Sequence, residues 1–237
     1  MKKYVLVFIL LLSTVIVNAQ GRDGTFSIIP RIGFAVSDLT GNSSDIYDVS
    51  ASSTSLEHAF NSKMKAGVAG GVEVEYQANP NVSFSAGVLY SMRGVKYDDY
   101  LEPVTSGKTT GWSDLRSNLQ YLDVPVLANY YLAKGLAVKA GLTFSYLLDA
   151  TVKYKIADVT VEKDGAMTYG SPEKMSNNDN DICNKALYAA TVGLSYEYMN
   201  VVLDARYSYG INSTYKSWFG KAHDSTLTFM LGYRFQL

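Results

Sequence analysis

One cysteine, Cys183, and two histidines, His58 and His223, are all the thiol and imidazole chemistry in the 237 residues. A lone cysteine excludes an intrachain disulfide, a cysteine-based zinc site and a dithiol redox pair. Two histidines are too few for a histidine metal cluster. Charge is scarce as well: 18% Asp, Glu, Lys and Arg, with a net charge of −1, against roughly 25% charged in an ordinary soluble domain. That excludes the basic surface expected of a nucleic-acid-binding protein. With 47% hydrophobic residues and only 5 prolines, the chain does not have the composition of a disordered one. No glycine-rich phosphate loop occurs, and beyond residue 20 no apolar run reaches the roughly 20 residues of a spanning helix. Tyrosine (19) and glycine (19), by contrast, are plentiful.

The N-terminus carries the layout of a secretory signal peptide. Lys2 and Lys3 make a short positive start, Tyr4 to Val17 is mostly apolar, and Val17-Asn18-Ala19 supplies small residues at the cleavage spacing. The apolar run is too short to span a membrane as a helix. No cysteine follows it, so a lipoprotein anchor is not expected. The expected organisation is a signal peptide over 1–19 and one domain over 20–237. Loss of Lys2 and Lys3 takes the net charge from −1 to −3.

The mature chain alternates with a period of two, the mark of strands with two unlike faces. Eight such segments are read: about 25–36, 64–76, 81–97, 118–132, from 136, 185–198, 201–211 and 224–237. In the last, Leu227, Phe229, Leu231, Tyr233, Phe235 and Leu237 share one face, and Thr226, Thr228, Gly232 and Arg234 the other. Connections alternate between short and long. Gln77-Ala78-Asn79-Pro80, Ala133-Lys134-Gly135 and Met199-Asn200 are turns, and the other four connections run longer. An even strand number, short turns at one end, long loops at the other and aromatic residues near strand ends describe a transmembrane β-barrel. A soluble sandwich or lipocalin-like barrel is the competing reading. The polar face decides between them: it is Gly, Ser and Thr with one or two charges per strand, which suits the interior of a narrow eight-stranded barrel better than a water-facing wall. The expected fold is therefore an all-β, eight-stranded, antiparallel up-and-down barrel exported to the bacterial outer membrane.

On the inward parity lie Arg31, Lys65, Glu73, Glu75, Arg93, Asp123, Lys139, Glu197, Asp204, Arg206 and Arg234. A buried charge must be paired, and the near balance of signs predicts a lumen charge network closing the barrel. Its core is Arg31, Glu73, Arg93, Asp123, Lys139, Glu197, Asp204, Arg206 and Arg234. The alternative is a narrow proton or ion path. The loops are acidic, and residues 37–62 hold Asp38, Asp45, Asp48 and Glu57 with no Lys or Arg. Val152, Tyr154 and Ile156 are expected to carry the outward parity of the fifth strand past the membrane as a stalk.

The segment Tyr121-Leu122-Asp123-Val124-Pro125-Val126-Leu127-Ala128-Asn129-Tyr130-Tyr131 resembles the "YLEIPLLLKYY" strand of PorT-like outer membrane β-barrel proteins. The closing Gly232-Tyr233-Arg234-Phe235 resembles their "GYRF" strand. The resemblance covers the whole mature chain in size and strand count, and implies a Gram-negative outer membrane barrel of the kind found alongside type IX secretion. Most members of that family have no known activity, so it implies little about function.

Two smaller patterns bear on chemistry. His223-x-Ser225 resembles the His-x-Ser pair of outer membrane lipid A deacylases, in which the histidine takes the serine proton. No orienting carboxylate accompanies it, because Asp224 points to the opposite face. Asn177-Asn178-Asp179-Asn180-Asp181 is oxygen-rich, but lacks the glycine and terminal glutamate of an EF-hand loop. No cofactor or metal is expected. The function expected is a non-enzymatic structural, adhesive or secretion-associated interaction protein. Its partners would be outer membrane lipid and a protein at the loops or turns. A narrow pore is the alternative, and a deacylase-like enzyme the last. Cleavage after Ala19 predicts a mature protein that begins at Gln20. N-terminal sequencing of protein recovered from outer membranes checks this, and a retained Lys2-Lys3 start would overturn it.

Overall fold

A computed structural model describes residues 24–41, 62–101, 104, 107–218 and 220–237. The signal segment, His58 and most of the first acidic loop lie outside the described residues. The described residues form twelve strands: β1 (Phe26–Gly41), β2 (Ser62–Asn79), β3 (Val82–Tyr97), β4 (Tyr100–Leu101), β5 (Gly107–Ala133), β6 (Leu136–Val161), β7 (Met167–Tyr169), β8 (Glu173–Asn178), β9 (Ala186–Tyr198), β10 (Val201–Gly210), β11 (Ala222–Tyr233) and β12 (Phe235–Gln236).

Eight of these form a closed antiparallel ring. Each pairs with its chain neighbour in the order β5-β3-β2-β1-β11-β10-β9-β6, and β6 pairs with β5 to complete the circle. The seam between the two ends of the chain runs from Arg31↔Gly232 to Gly41↔Ala222. β12 extends it through Ser27↔Gln236 and Ile28↔Phe235. Closure leaves the eight-stranded ring without a free edge, the arrangement that lets strands stand in lipid.

The short connections have local causes. At the β2–β3 turn, Asn79 Oδ1 accepts from the backbone N–H groups of Asn81 and Val82, both at 3.0 Å. The β9–β10 turn places Met199 and Asn200 at φ of 48° and 67°, the pair of positive values that a two-residue hairpin of matching twist requires. Gly135 does the same work in the β5–β6 turn at φ 81°, where a side chain would strike the Glu197 carbonyl.

Side chains then divide by parity. On β3, Val82, Phe84, Ala86, Val88, Tyr90 and Met92 point outward, while Ser83, Ser85, Leu89, Ser91 and Arg93 are buried within the ring. The outward run spans about 33 Å along the strand, or about 25 Å of height at the usual strand tilt. That is the height of a lipid-facing band.

Several elements exceed their expected bounds. β5 begins at Gly107 and β6 continues to Val161, so the paired ends of these strands opposite their short turn stand well beyond the ring, flanked by β4, β7 and β8. The expected outward parity of Val152, Tyr154 and Ile156 fails, however. Gln120 pairs with Asp149 and Tyr121 with Leu147, which leaves Leu148 as an extra residue. Such a bulge reverses which side chains face in. Leu148 is exposed, whereas Ala150 and Val152 are buried. The strand thereby folds its apolar side over the mouth of the barrel. The last strand also breaks at Arg234 rather than running unbroken to 237.

An arginine at Leu231, midway along the outward face of β11, should cost about 2–4 kcal/mol of folding stability in lipid, and less at Leu227, nearer the loop end. Urea unfolding in lipid vesicles checks the order. Equal tolerance at both positions would mean that this face does not meet hydrocarbon.

Candidate functional site

The interior of the ring is filled, and its contents are layered along the barrel axis. Nearest the short turns, Arg234 donates through Nε to Glu197 at 2.9 Å and through NH2 to Glu75 at 3.0 Å. Glu75 also accepts from Tyr131 Oη at 2.7 Å and Ser83 Oγ at 2.8 Å. All three charged side chains are at most 6% exposed.

The middle layer joins five charges from four strands. Arg206 grips Glu73 with two nitrogens, at 2.5 and 2.9 Å. Its Nε reaches Asp204 at 2.6 Å. Lys139 Nζ lies 2.8 Å from the same Asp204. Arg31 stands 2.6 Å from Glu73 and 3.3 Å from Asp204, yet none of its nitrogens is aligned for a hydrogen bond. Arg31 is therefore held by charge rather than by directed bonds. Small residues make room for these long side chains. A methyl group at Gly193 would come within 3.1 Å of Arg206 Cγ, and one at Gly232 within 3.1 Å of Arg31 Cγ.

The third layer, toward the loops, centres on Arg93. It pairs with Asp123 at 2.5 Å and Asp224 at 2.7 Å, and its guanidinium lies 5.0 Å from the centre of the Tyr121 ring. Above it the interior turns apolar. Leu39, Val95, Tyr97, Leu115, Leu119, Leu147, Val152, Cys183, Leu187 and Tyr215 form one buried cluster at the mouth. Burial pushes the Cys183 thiol up to about 12, so it stays protonated and unreactive at neutral pH.

The structure thus brings Arg31, Glu73, Lys139, Asp204 and Arg206 into one group, Glu197 and Arg234 into a second, and Arg93 and Asp123 into a third. Lys65 does not join them: its Nζ donates to the Arg93 carbonyl at 3.2 Å. Glu75 and Asp224 complete the outer two groups. Asp224 escapes a reading that ends the last loop at residue 224, although its parity alone assigns it inward. The apolar cluster leaves less trace, because it depends on the bulge at Leu148 and on loop residues Cys183 and Tyr215, which bridge to each other.

The two residue patterns with chemical potential are spent on structure. His223 Nδ1 lies 3.0 Å from the Gly210 carbonyl, and the ring stacks on Tyr209. Ser225 Oγ pairs with Tyr207 Oη at 3.0 Å. Each is held by β10, and neither bonds to the other. In the oxygen-rich loop, Asn178 Oδ1 accepts from Asn180 N and Asn180 Oδ1 from Ala150 N, both at 3.0 Å. These oxygens cap turns instead of converging.

A closed eight-stranded ring with an apolar outer band and a charge-filled interior is a small outer membrane β-barrel. The family description "Outer membrane protein beta-barrel domain" matches residues 18–216, and the chain belongs to that family and resides in the bacterial outer membrane. No curated protein matches it. Among solved structures it is similar to Ail, the attachment invasion locus protein of Yersinia pestis, in complex with the heparin analogue sucrose octasulfate. The identity is 17%, the match covers 89% of this chain and 99% of that one, and the TM-score is 0.43. Neisserial surface protein A is 14% identical over 88% of this chain and 96% of its own, with a TM-score of 0.36. The toluene transporter TodX of P. putida is 9% identical over 91% and 90%, with a TM-score of 0.29.

Asp204 is the point on which the middle layer turns. Asp204→Asn leaves Arg31, Lys139 and Arg206 to share Glu73, and should cost about 3–5 kcal/mol. Adding Lys139→Gln removes one unpaired cation and should recover part of the loss. Urea midpoints in lipid vesicles measure both, and an Asp204→Asn variant as stable as the parent would show that the layer contributes nothing.

Proposed function

We propose that this outer membrane barrel is a closed, non-enzymatic interaction protein that offers its long-loop end to another protein at the cell surface. The observation that carries this reading is the filled interior. Three tiers of ion pairs and an apolar cluster at the mouth occupy the path a solute would take. An eight-stranded ring is only wide enough for its own side chains. Function then belongs to what projects from the ring, and here that is the paired ends of β5 and β6 opposite their short turn, with β7 and β8 beside them.

The non-enzymatic part of the reading rests on His223 and Ser225. A serine nucleophile needs its base within hydrogen-bond reach and a third group to orient that base. His223 is committed to Gly210 and Tyr209, and Ser225 to Tyr207. The secretion-associated part of the reading rests on Tyr121–Tyr131, the strand that resembles PorT-like barrels; an adhesive role draws on the acidic loops.

Two measurements test the proposal. Purified protein in planar bilayers should show little steady conductance, and large, stable single-channel currents would replace this reading with the pore. A photo-crosslinker at Lys163, in the exposed β6–β7 turn, should give a protein adduct of reproducible mass in intact cells. The same probe at Met199, at the opposite end, should not give that adduct.

A further inference from the structure

The wall of the barrel carries a run of like charges that its own contacts do not explain. Lys63 pairs directly across the sheet with Lys96, Lys96 with Arg116, and Arg116 with Lys153. One register further along, Lys155 faces Lys174. Side chains directly opposite one another in a sheet stand roughly 4.5–5.5 Å apart, where like charges repel. Lys63, Lys96, Arg116, Lys153 and Lys174 are exposed, and Lys155 is half-buried.

Counter-charge is sparse. Asp98 pairs with Lys63, and Asp114 lies 3.4 Å from Arg116 and 3.2 Å from Lys155. Among the described residues, Lys96, Lys153 and Lys174 have no carboxylate in salt-bridge reach. These two carboxylates reach three of the six cations, and Asp99, bonded to Asp114 N, and Asp149, on the outward side below Lys153, lie nearby, which still leaves a local excess of cations in a protein whose net charge is −1. Arg116, Lys153, Lys155 and Lys174 also line a shallow cleft of about 290 Å³.

The position of the run says what it meets. These cations lie on the outward face, continuous with the lipid-facing side chains. Lys63 lies directly across from Lys96; Lys96 is four residues past Met92, Lys153 five past Leu148 and Arg116 six before Leu122. By strand rise and tilt, the charges therefore occupy the first ~15 Å above the hydrocarbon edge. Higher on the same two strands the charge is mixed, with Asp158, Glu162 and Asp164 beside Lys108 and Lys163. A single-phosphate glycerol lipid reaches only the lowest cations, whereas a sugar headgroup bearing several phosphates covers the whole range of heights.

We infer that the outward cation row Lys63-Lys96-Arg116-Lys153, with Lys155 and Lys174, is a binding site for the phosphates of an outer-leaflet glycolipid headgroup. The site is independent of the protein partner proposed for the loops. Its lysines and Arg116 hold phosphate by charge and hydrogen bonds, while the acyl chains lie along Met92 and Leu122. Each basic residue near a membrane surface adds an attraction of its own, and the bound anion relieves repulsion within the row.

The test uses the full mature protein refolded in detergent, titrated with bisphosphorylated lipid A and with the same lipid stripped of phosphate. The wild type should prefer the phosphorylated form by at least about tenfold. Lys96→Gln/Arg116→Gln/Lys153→Gln should bring that preference close to one. Lys134→Gln/Lys163→Gln/Lys221→Gln removes the same number of charges elsewhere and should keep it. Heat-modifiable migration in detergent gels reports folding. If the triple variant does not fold, Lys96→Gln and Lys153→Gln singly should each lower the preference about threefold. Equal binding of both lipids, an undiminished preference in the row variants or an equal loss in the control would overturn the site. Inorganic polyphosphate binding as tightly as lipid A and displacing it would overturn the lipid assignment.

Discussion

The ladder that joins β1 to β11 is the contact on which the rest of this protein depends. A backbone N–H or C=O without a partner in hydrocarbon costs several kcal/mol, so an open eight-stranded sheet could not remain in the membrane. The seam from Arg31↔Gly232 to Gly41↔Ala222, prolonged by β12, removes both edges at once. Closing it at eight strands fixes the interior as narrow, and a narrow interior must be occupied by its own side chains.

How it is occupied follows from the same constraint. Long charged side chains inside a ring are tolerable only when they find one another. Glu73 and Asp204 serve three cations between them, Arg234 bridges two glutamates, and Arg93 bridges two aspartates. Each tier draws on strands distant in sequence, so the pairs resist shear between strands as well as filling space. Gly193 and Gly232 leave the gaps into which Arg206 and Arg31 fit. At the mouth the strategy changes. The bulge at Leu148 turns Ala150 and Val152 inward, and apolar packing replaces ion pairing.

The outer wall separates its duties by height. Aliphatic and aromatic side chains face the hydrocarbon, a cation row follows, and charges of both signs occupy the strand ends beyond. Such zoning matches a membrane whose apolar interior, anionic headgroups and aqueous exterior are met in turn. It also keeps the projecting strand ends away from the lipid surface, where a protein partner would have to find them.

Much of this was legible from alternation alone. A period of two places Arg31, Glu73, Asp204 and Arg234 on the inward face without knowledge of their partners, because successive side chains on a strand must point to opposite sides. The ring and its short turns were readable for the same reason, Asn79-Pro80 and Met199-Asn200 being local signals. Where parity breaks, the sequence is silent. Leu147-Leu148 looks like any apolar pair, and only the register against Gln120 and Tyr121 shows that one residue is extra. The partnerships are likewise non-local: Arg93 meets Asp224 across 131 positions of chain, and Lys63, Lys96, Arg116 and Lys153 become a row only when four strands align. The sequence by itself determined which side of each strand faces lipid, since that depends on residues two apart. Tertiary structure decided which charges pair, how the mouth is sealed and where the cations gather, since those depend on register between strands that local patterning does not encode.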